Sequence, residues 1–223
     1  MKKLFLIAVL FALSIAGIGQ TTFGVHVGGN LASVKSEFES DEQDNESKIG
    51  LLIGVVAEVP IASSISFRPE LNFIQKGYKY EETLGSDKYT EDVTLNYLEL
   101  PLNFIYNVPA GTGNVFFGVG PSIGFGISGK AKTTETGESD QSIDVKFDGE
   151  KEDAVTDNNA HLKALDFGGN ILAGYKMTSG LFFSLGYTIG FANIAPDEGV
   201  TFKNSGLALK IGYNFGKSKS PSE

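Results

Sequence analysis

From Thr21 onward, large apolar side chains alternate with Gly, polar or charged ones over eight stretches of the chain. A period of two puts successive side chains on opposite faces, so each stretch predicts a β-strand with one oily face. Stretch 21–34 sets Phe23, Val25, Val27 and Leu31 against Gly24, His26, Gly28 and Asn30; stretch 48–60 sets Ile49, Leu51, Ile53, Val55 and Val59 against Gly50, Gly54 and Glu58. In 64–80 the faces are Ile65, Phe67, Leu71, Phe73 and Ser66, Arg68, Glu70, Asn72, Lys76. In 93–107 they are Leu98, Leu100, Leu102, Phe104, Tyr106 and Tyr97, Glu99, Pro101, Asn103. Stretch 114–129 pits Phe117, Val119, Ile123, Phe125 and Ile127 against small residues, mostly Gly. Stretches 163–177, 181–193 and 204–216 complete the set, placing Asp166, Lys176 and Lys210 on the face away from Phe167, Leu185 and Ile211.

The links alternate as well. Those at 61–63, 108–113 and 178–180 are short, and those at 35–47, 81–92, 130–162 and 194–203 are long. A meander with short turns at one end and long loops at the other is the pattern of outer-membrane barrels, with both termini on the periplasmic side. All eight stretches also meet the 9 to 11 residues, roughly, that a tilted spanning strand needs. The expected fold is therefore all-β, an eight-stranded antiparallel up-and-down transmembrane β-barrel.

Periodicity alone leaves open which face turns inward, because a soluble lipocalin-like carrier with an oily core alternates in the same way. Composition separates the two. The non-oily face holds Gly, Ser, Asn and isolated charges, which suits a narrow filled lumen better than a solvated exterior. Gly numbers 28 in 223 residues, above the usual share of about 7%. Aromatic residues near stretch ends, Phe23, Phe73, Tyr106, Phe116, Tyr175 and Phe215, are expected in interfacial girdles.

The start of the chain reads differently. Lys2 and Lys3, the apolar run 4–13 and the small residues Gly17 and Gly19 predict a signal peptide over 1–19. A barrel domain over 20–216 and a short polar tail over 217–223 follow. There is no Cys, so neither a lipoprotein anchor nor a disulfide framework is expected. The formal charge is −9, which excludes a nucleic-acid ligand of the basic-patch kind.

Several fragments resemble one family in order along the chain: 69–73 (PELNF) running to Lys76-Gly77, 97–102 (YLELPL), 117–121 (FGVGP), 166–168 (DFG) with Gly174-Tyr175, 185–187 (LGY) leading to Asn193-Ile194, and 211–215 (IGYNF). They resemble the outer-membrane β-barrel family of Bacteroidetes, PorT-like or OmpA/OmpX-like. The chain departs from it at Ile105 and Thr188, where basic residues are common in the family, and in continuing past Phe215. The resemblance implies an outer-membrane location and recognition of the last strand, Tyr213 and Phe215, by the insertion machinery. An accessory role in envelope secretion or gliding is implied by the PorT label. Fold membership by itself transfers no activity.

On this reading a polar cluster faces the lumen: Glu58, Arg68, Glu70, Lys76, Glu99, Asn103, Asp166, Lys176 and Lys210. Charges in a low-dielectric interior must pair, and an eight-stranded interior is just wide enough for side chains, so a salt-bridged plug is expected rather than an ion path. Glu58 and Arg68 flank the link 61–63 and are expected in contact, directly or through one water. His26 is expected as a hydrogen-bonded lumen residue, and His161 lies in the long loop. No Gly-x-Ser-x-Gly or comparable constellation points to an enzyme; a barrel hydrolase is the alternative. No cofactor and no metal are expected, since neither 41–44 nor 153–157 follows the calcium-loop spacing. Residues 130–162 hold nine acidic and four basic groups, expected as solvated, mobile loop too polar to pack a core. The expected partners are outer-membrane lipid and lipopolysaccharide, the insertion machinery during biogenesis, and an envelope protein not identified by the sequence.

Overall fold

The computed structural model describes residues 21–38, 41–43, 45–150 and 159–215; the expected signal peptide and polar tail lie outside them. Eleven strands follow in order: β1 (Thr22–Phe38), β2 (Asp41–Gln43), β3 (Glu46–Ala62), β4 (Ile65–Leu84), β5 (Asp87–Ala110), β6 (Gly113–Glu135), β7 (Gln141–Lys146), β8 (Ala160–His161), β9 (Leu165–Met177), β10 (Leu181–Gly190) and β11 (Val200–Phe215). Eight of them form a ring. Strand β1 pairs with β3, then β3 with β4, β4 with β5, β5 with β6, β6 with β9, β9 with β10 and β10 with β11, each antiparallel. Strand β11 returns to β1 from Phe23↔Phe215 up to Phe38↔Val200. Closure gives each strand of the ring two neighbours, which is what removes exposed sheet edges.

The alternation sets the two faces as the oily residues require. Val25, Val27, Leu71, Leu98, Phe117, Leu185, Leu209 and Ile211 all lie exposed on the outside of the ring. Their polar neighbours turn inward, among them Arg68, Asn72 and Asn103. Val59 keeps its outer face opposite Phe67, although it is covered there beside the register shift at Pro60/Ala62. One position departs from the expected faces. Phe116, expected in an aromatic girdle, lies inside the ring with 1% exposure, while the adjacent Phe117 takes the outer position.

The interior is also less polar than expected. Val56, Ile105, Phe116, Leu172 and Phe182 form one buried apolar cluster toward the short turns. Val34, Leu52, Ile74, Tyr78, Val93, Leu95, Tyr97, Ala131, Val145 and Ile194 form a second toward the long links. Many of these are the buried members of apolar doublets such as Leu51-Leu52, Val55-Val56, Phe73-Ile74, Ile171-Leu172 and Phe182-Phe183. In a two-residue period a doublet must send one side chain each way. Those doublets are the sequence signal for an apolar lining.

The long links differ most from expectation. The run 81–92 is not loose: β4 continues to Leu84 and β5 begins at Asp87, joined by a two-residue turn in which Gly85 has φ +66°, a backbone sign that favours Gly in tight hairpins. The strands here lack an oily face, so their pairing rests on backbone bonds and on ion pairs of Glu81 with Lys79 and Lys88. In 130–162, β6 runs on to Glu135, β7 pairs back on it, and Val145 is buried with Phe147 packed at 5.3 Å on the Tyr97 ring. The described part of that segment packs on the upper core through Val145 and Phe147, contrary to its polar composition. In 194–203, Ile194 and Ala195 fold inward and are buried.

The outer hairpin carries a pH prediction. Hydrogen bonds from Lys79 and then Lys88 hold the Glu81 carboxyl down at about 2, against an ordinary 4.5. A depressed carboxyl stabilises fully above the ordinary value, and that contribution is lost as pH falls through the depressed one. The rate of pepsin cleavage within 81–92, divided by the rate on an unfolded peptide of the same sequence at the same pH, should therefore be low at about pH 4 and markedly higher at about pH 2. Equal ratios would show that the ion pairs do not hold the hairpin.

Candidate functional site: the charged interior and the apolar wall

The inward alternation brings all nine of the expected lumen residues inside the ring, and every one is buried. Among the described residues the buried charges balance, with Glu58, Glu70, Glu99 and Asp166 against Arg68, Lys76, Lys176 and Lys210. The ladder positions them in tiers. Nearest the short turns, β3 and β4 pair Val59 with Phe67, which places Glu58 and Arg68 side by side. Arg68 Nη2 is 3.2 Å from Glu58 Oε2. Lys176 Nζ donates to Glu58 Oε1 at 2.7 Å from β9, and Asn214 Nδ2 donates to Oε2 at 3.3 Å from β11. The Arg68 guanidinium is sandwiched between the rings of Phe116 and Phe182, at 4.6 and 5.0 Å. A delocalised cation tolerates such a slot because aromatic faces are electronegative.

The second tier holds Lys210 Nζ to Glu70 Oε2 at 2.6 Å, a bridge from β11 to β4. His26 Nε2 lies 2.8 Å from Asn72 Oδ1 and 3.8 Å from Glu70. In the third tier Lys76 Nζ is shared by Glu99 at 2.6 Å and Asp166 at 3.1 Å, above the Tyr97 ring at 4.9 Å. Asn204 Nδ2 donates to Asp166 Oδ2 at 2.9 Å. Asn103 accepts from Asn170 Nδ2 at 2.8 Å, and Asn170 in turn accepts from Thr188.

These pairs strut the ring. Lys176 to Glu58 and Lys210 to Glu70 join strands that do not neighbour each other, separated by 118 and 140 residues in sequence. An interior cavity of about 20 Å³ remains beside Lys76, Glu99, Asn204 and Lys210, room for about one water. The arrangement can hold opposite walls together and fill the cross-section with charge that cancels. Sequence reasoning found the charged members but missed the aromatic slot around Arg68, whose signal was the doublets at 116–117 and 182–183.

His161 sits at the long-link end, buried, with Nδ1 2.8 Å from Asp148 Oδ1. This hydrogen bond is the largest cause holding the Asp148 carboxyl below its usual value. Glu150 joins them, each of the three offering one ligand atom within 4.8 Å of the others. No linear motif pointed there, because the parallel pairing of β7 with β8 brings His161 back to Asp148 over thirteen residues. Segment 153–157, where no calcium loop is expected, lies outside the described residues.

The outer wall is the second part of the site. Tyr213 and Phe215 of the closing strand lie outside, their rings 5.4 Å apart, beside Phe23. Tyr175, also on the wall, donates its hydroxyl to Ala110 O at 3.0 Å. On β1 the outward apolar run extends from Phe23 to Leu31, about 27 Å along a strand and about 20 Å along the normal at a tilt near 40°. That height is close to the apolar band of outer-membrane barrels, about 25 Å.

A closed ring with oil outside and cancelled charge inside is the class of architecture that spans a membrane with strands. The chain belongs to the outer membrane protein beta-barrel domain family, whose description matches residues 19–195. Among solved structures it is similar to Ail, the attachment invasion locus protein of Yersinia pestis, at 11% identity over 88% of this chain and 99% of that one, with a TM-score of 0.40. It is similar also to Neisserial surface protein A, at 15% identity over 86% of this chain and 97% of that one, with a TM-score of 0.44. No curated protein sequence matches it.

Proposed function

We propose that the protein is an integral outer-membrane anchor: an up-and-down transmembrane barrel with a plugged lumen that presents its strand extensions to the outside and serves a structural, adhesive or partner-binding role without catalysis. The observation that carries this reading is the inverted distribution of side chains, with Leu209 at 64% exposure on the wall and Arg68 at 1% within it. A soluble carrier would reverse that order. The short turns and both ends of the ring then face the periplasm, and the charged extensions of β4 to β7 face outward. Tyr213 and Phe215 serve as the signal read during insertion. The resemblance to PorT-like proteins adds an accessory role in secretion or gliding, which a deletion strain with unimpaired cargo export would remove.

The test uses the wall. Leu209 lies in the outward apolar run of β11 from Leu207 to Phe215, two residues from its middle at Ile211, so Leu209→Arg puts a charge close to the bilayer midplane. It should lower the stability of the bilayer-folded protein by about 2 to 4 kcal/mol. In a water-exposed protein the same change stays within about 0.5 kcal/mol. Urea titration of vesicle-embedded protein, read by heat-modifiable gel mobility, distinguishes the two. A neutral result, or wild-type protein that stays monodisperse without detergent, would remove the membrane reading.

A further inference from the structure

Just beyond β7 the chain turns back on itself at Asp148, Gly149 and Glu150. Gly149 takes a φ of +74°, a backbone sign that glycine adopts without steric cost, and the turn is tight enough for Glu150 N to donate to Asp148 Oδ1 at 3.1 Å. Strand β8 lies alongside. Lys146 pairs with His161 in parallel register, Leu162 N donates to Lys146 O at 2.8 Å, and Gly149 N donates to Leu162 O at 3.0 Å. Phe147, Ala160 and Leu162 pack on the upper apolar cluster, so the backbone around the three side chains is fixed to the core. A site built on such a frame is preorganised.

Burial and access differ across the trio. His161 is 5% exposed, whereas Asp148 and Glu150 lie at the surface. The ring Nδ1 is 2.8 Å from Asp148 Oδ1, and each of the three groups offers a ligand atom within 4.8 Å of the others. Zinc bonds to nitrogen and oxygen of about 2.0 to 2.2 Å put two tetrahedral donors about 3.4 Å apart. The observed spacings bracket that value, and the exposed Glu150 side chain has room to close the remainder. Asp148 also borders an open cleft of about 710 Å³ whose wall includes Thr94, Asn96 and Ser128. Through that cleft a hydrated ion reaches the trio.

We propose that Asp148, Glu150 and His161 form a binding site for one zinc ion or a divalent transition metal of like chemistry. One imidazole nitrogen with two carboxylate oxygens suits such ions, whereas calcium and magnesium favour sets made of oxygen alone. The metal takes the place of the proton between Nδ1 and Asp148, which passes to solvent. Three protein donors leave a fourth tetrahedral position for water or for a donor from another molecule. The ion ties the end of β7 to β8. The site uses residues of the long link alone, so it stands apart from the membrane-spanning reading.

The chain has two His and no Cys, which makes the imidazole rings a clean reporter. The full chain without an affinity tag, folded in detergent micelles, stripped with a chelator and labelled in its histidine rings, is titrated with Zn²⁺ and with Ca²⁺ and followed by calorimetry and NMR. Zinc should bind once per chain, at least tenfold more tightly than calcium, and should move one ring signal, the one that His161→Ala removes. That variant should weaken zinc binding at least tenfold, since even an indirect partner of a metal ligand is worth about that much. Asp148→Asn/Glu150→Gln, which alters surface groups only, should weaken it as far while the folded band keeps its gel mobility. Zinc and calcium bound alike, neither ring or both rings shifted, or an unchanged affinity in the surface double variant would overturn the site and leave the trio a structural hydrogen-bonded contact. None of those results touches the membrane reading, and a chain that fails to enter bilayers leaves the zinc titration as it is.

Discussion

Replacing Lys76 with Met is expected to lower the unfolding free energy by about 3 to 5 kcal/mol, the cost of breaking a buried ion pair from one side. Lys76 is the cation given by the structure to both Glu99 and Asp166. Its loss leaves those two buried carboxylates without that partner and tips a balanced interior to net negative. The triple variant Lys76→Met/Glu99→Gln/Asp166→Asn should recover most of the loss, because neutral amides need hydrogen bonds and no counter-charge. The chain contains no Trp, so unfolding is best followed by circular dichroism or by gel mobility of the folded band. A single variant within about 0.5 kcal/mol of wild type would mean that the lumen is wet enough to screen the charges.

The second large effect separates two neighbouring phenylalanines. Phe116→Ala should cost about 3 to 5 kcal/mol, since it opens a cavity in a closed interior and strips one face from the Arg68 guanidinium. Phe117→Ala removes the same side chain from the lipid face, where Phe117 is 52% exposed. Lipid chains fill that space, so the cavity part of the cost is absent and the loss should be clearly smaller. Phe182→Ala should couple to Phe116→Ala by about 0.5 to 3 kcal/mol, because both rings pack on one cation. Equal losses at 116 and 117, or additive losses at 116 and 182, would show that the slot around Arg68 is not packed.

Much of the charged interior could be read beforehand because each member sits at an alternate position in a run with an unmistakable oily face, as with Arg68, Glu70 and Asn72 between Phe67 and Phe73. The aromatic slot could not, because a doublet such as Phe116-Phe117 satisfies the period with either ring inside. The outer strands were hidden for a different reason. In 81–92 both faces are polar, so no periodicity marks the pairing of Tyr80 with Glu91 or Thr83 with Lys88. Burial of Val145 and Ile194 against the upper cluster depends on where the chain returns, which local composition does not encode.

The sequence by itself determined that the chain forms eight long strands, that one face of each is apolar, and that the charges share the other, because these follow from side-chain alternation along a pleated backbone. Only the tertiary structure decided which charges meet, since Lys76 with Asp166 and Lys210 with Glu70 are joined across the ring by closure and stagger. It alone decided that Phe116 turns inward and that His161 lies beside Asp148. Alternation is a property of one strand, whereas register belongs to pairs of strands and becomes definite only when the last strand meets the first.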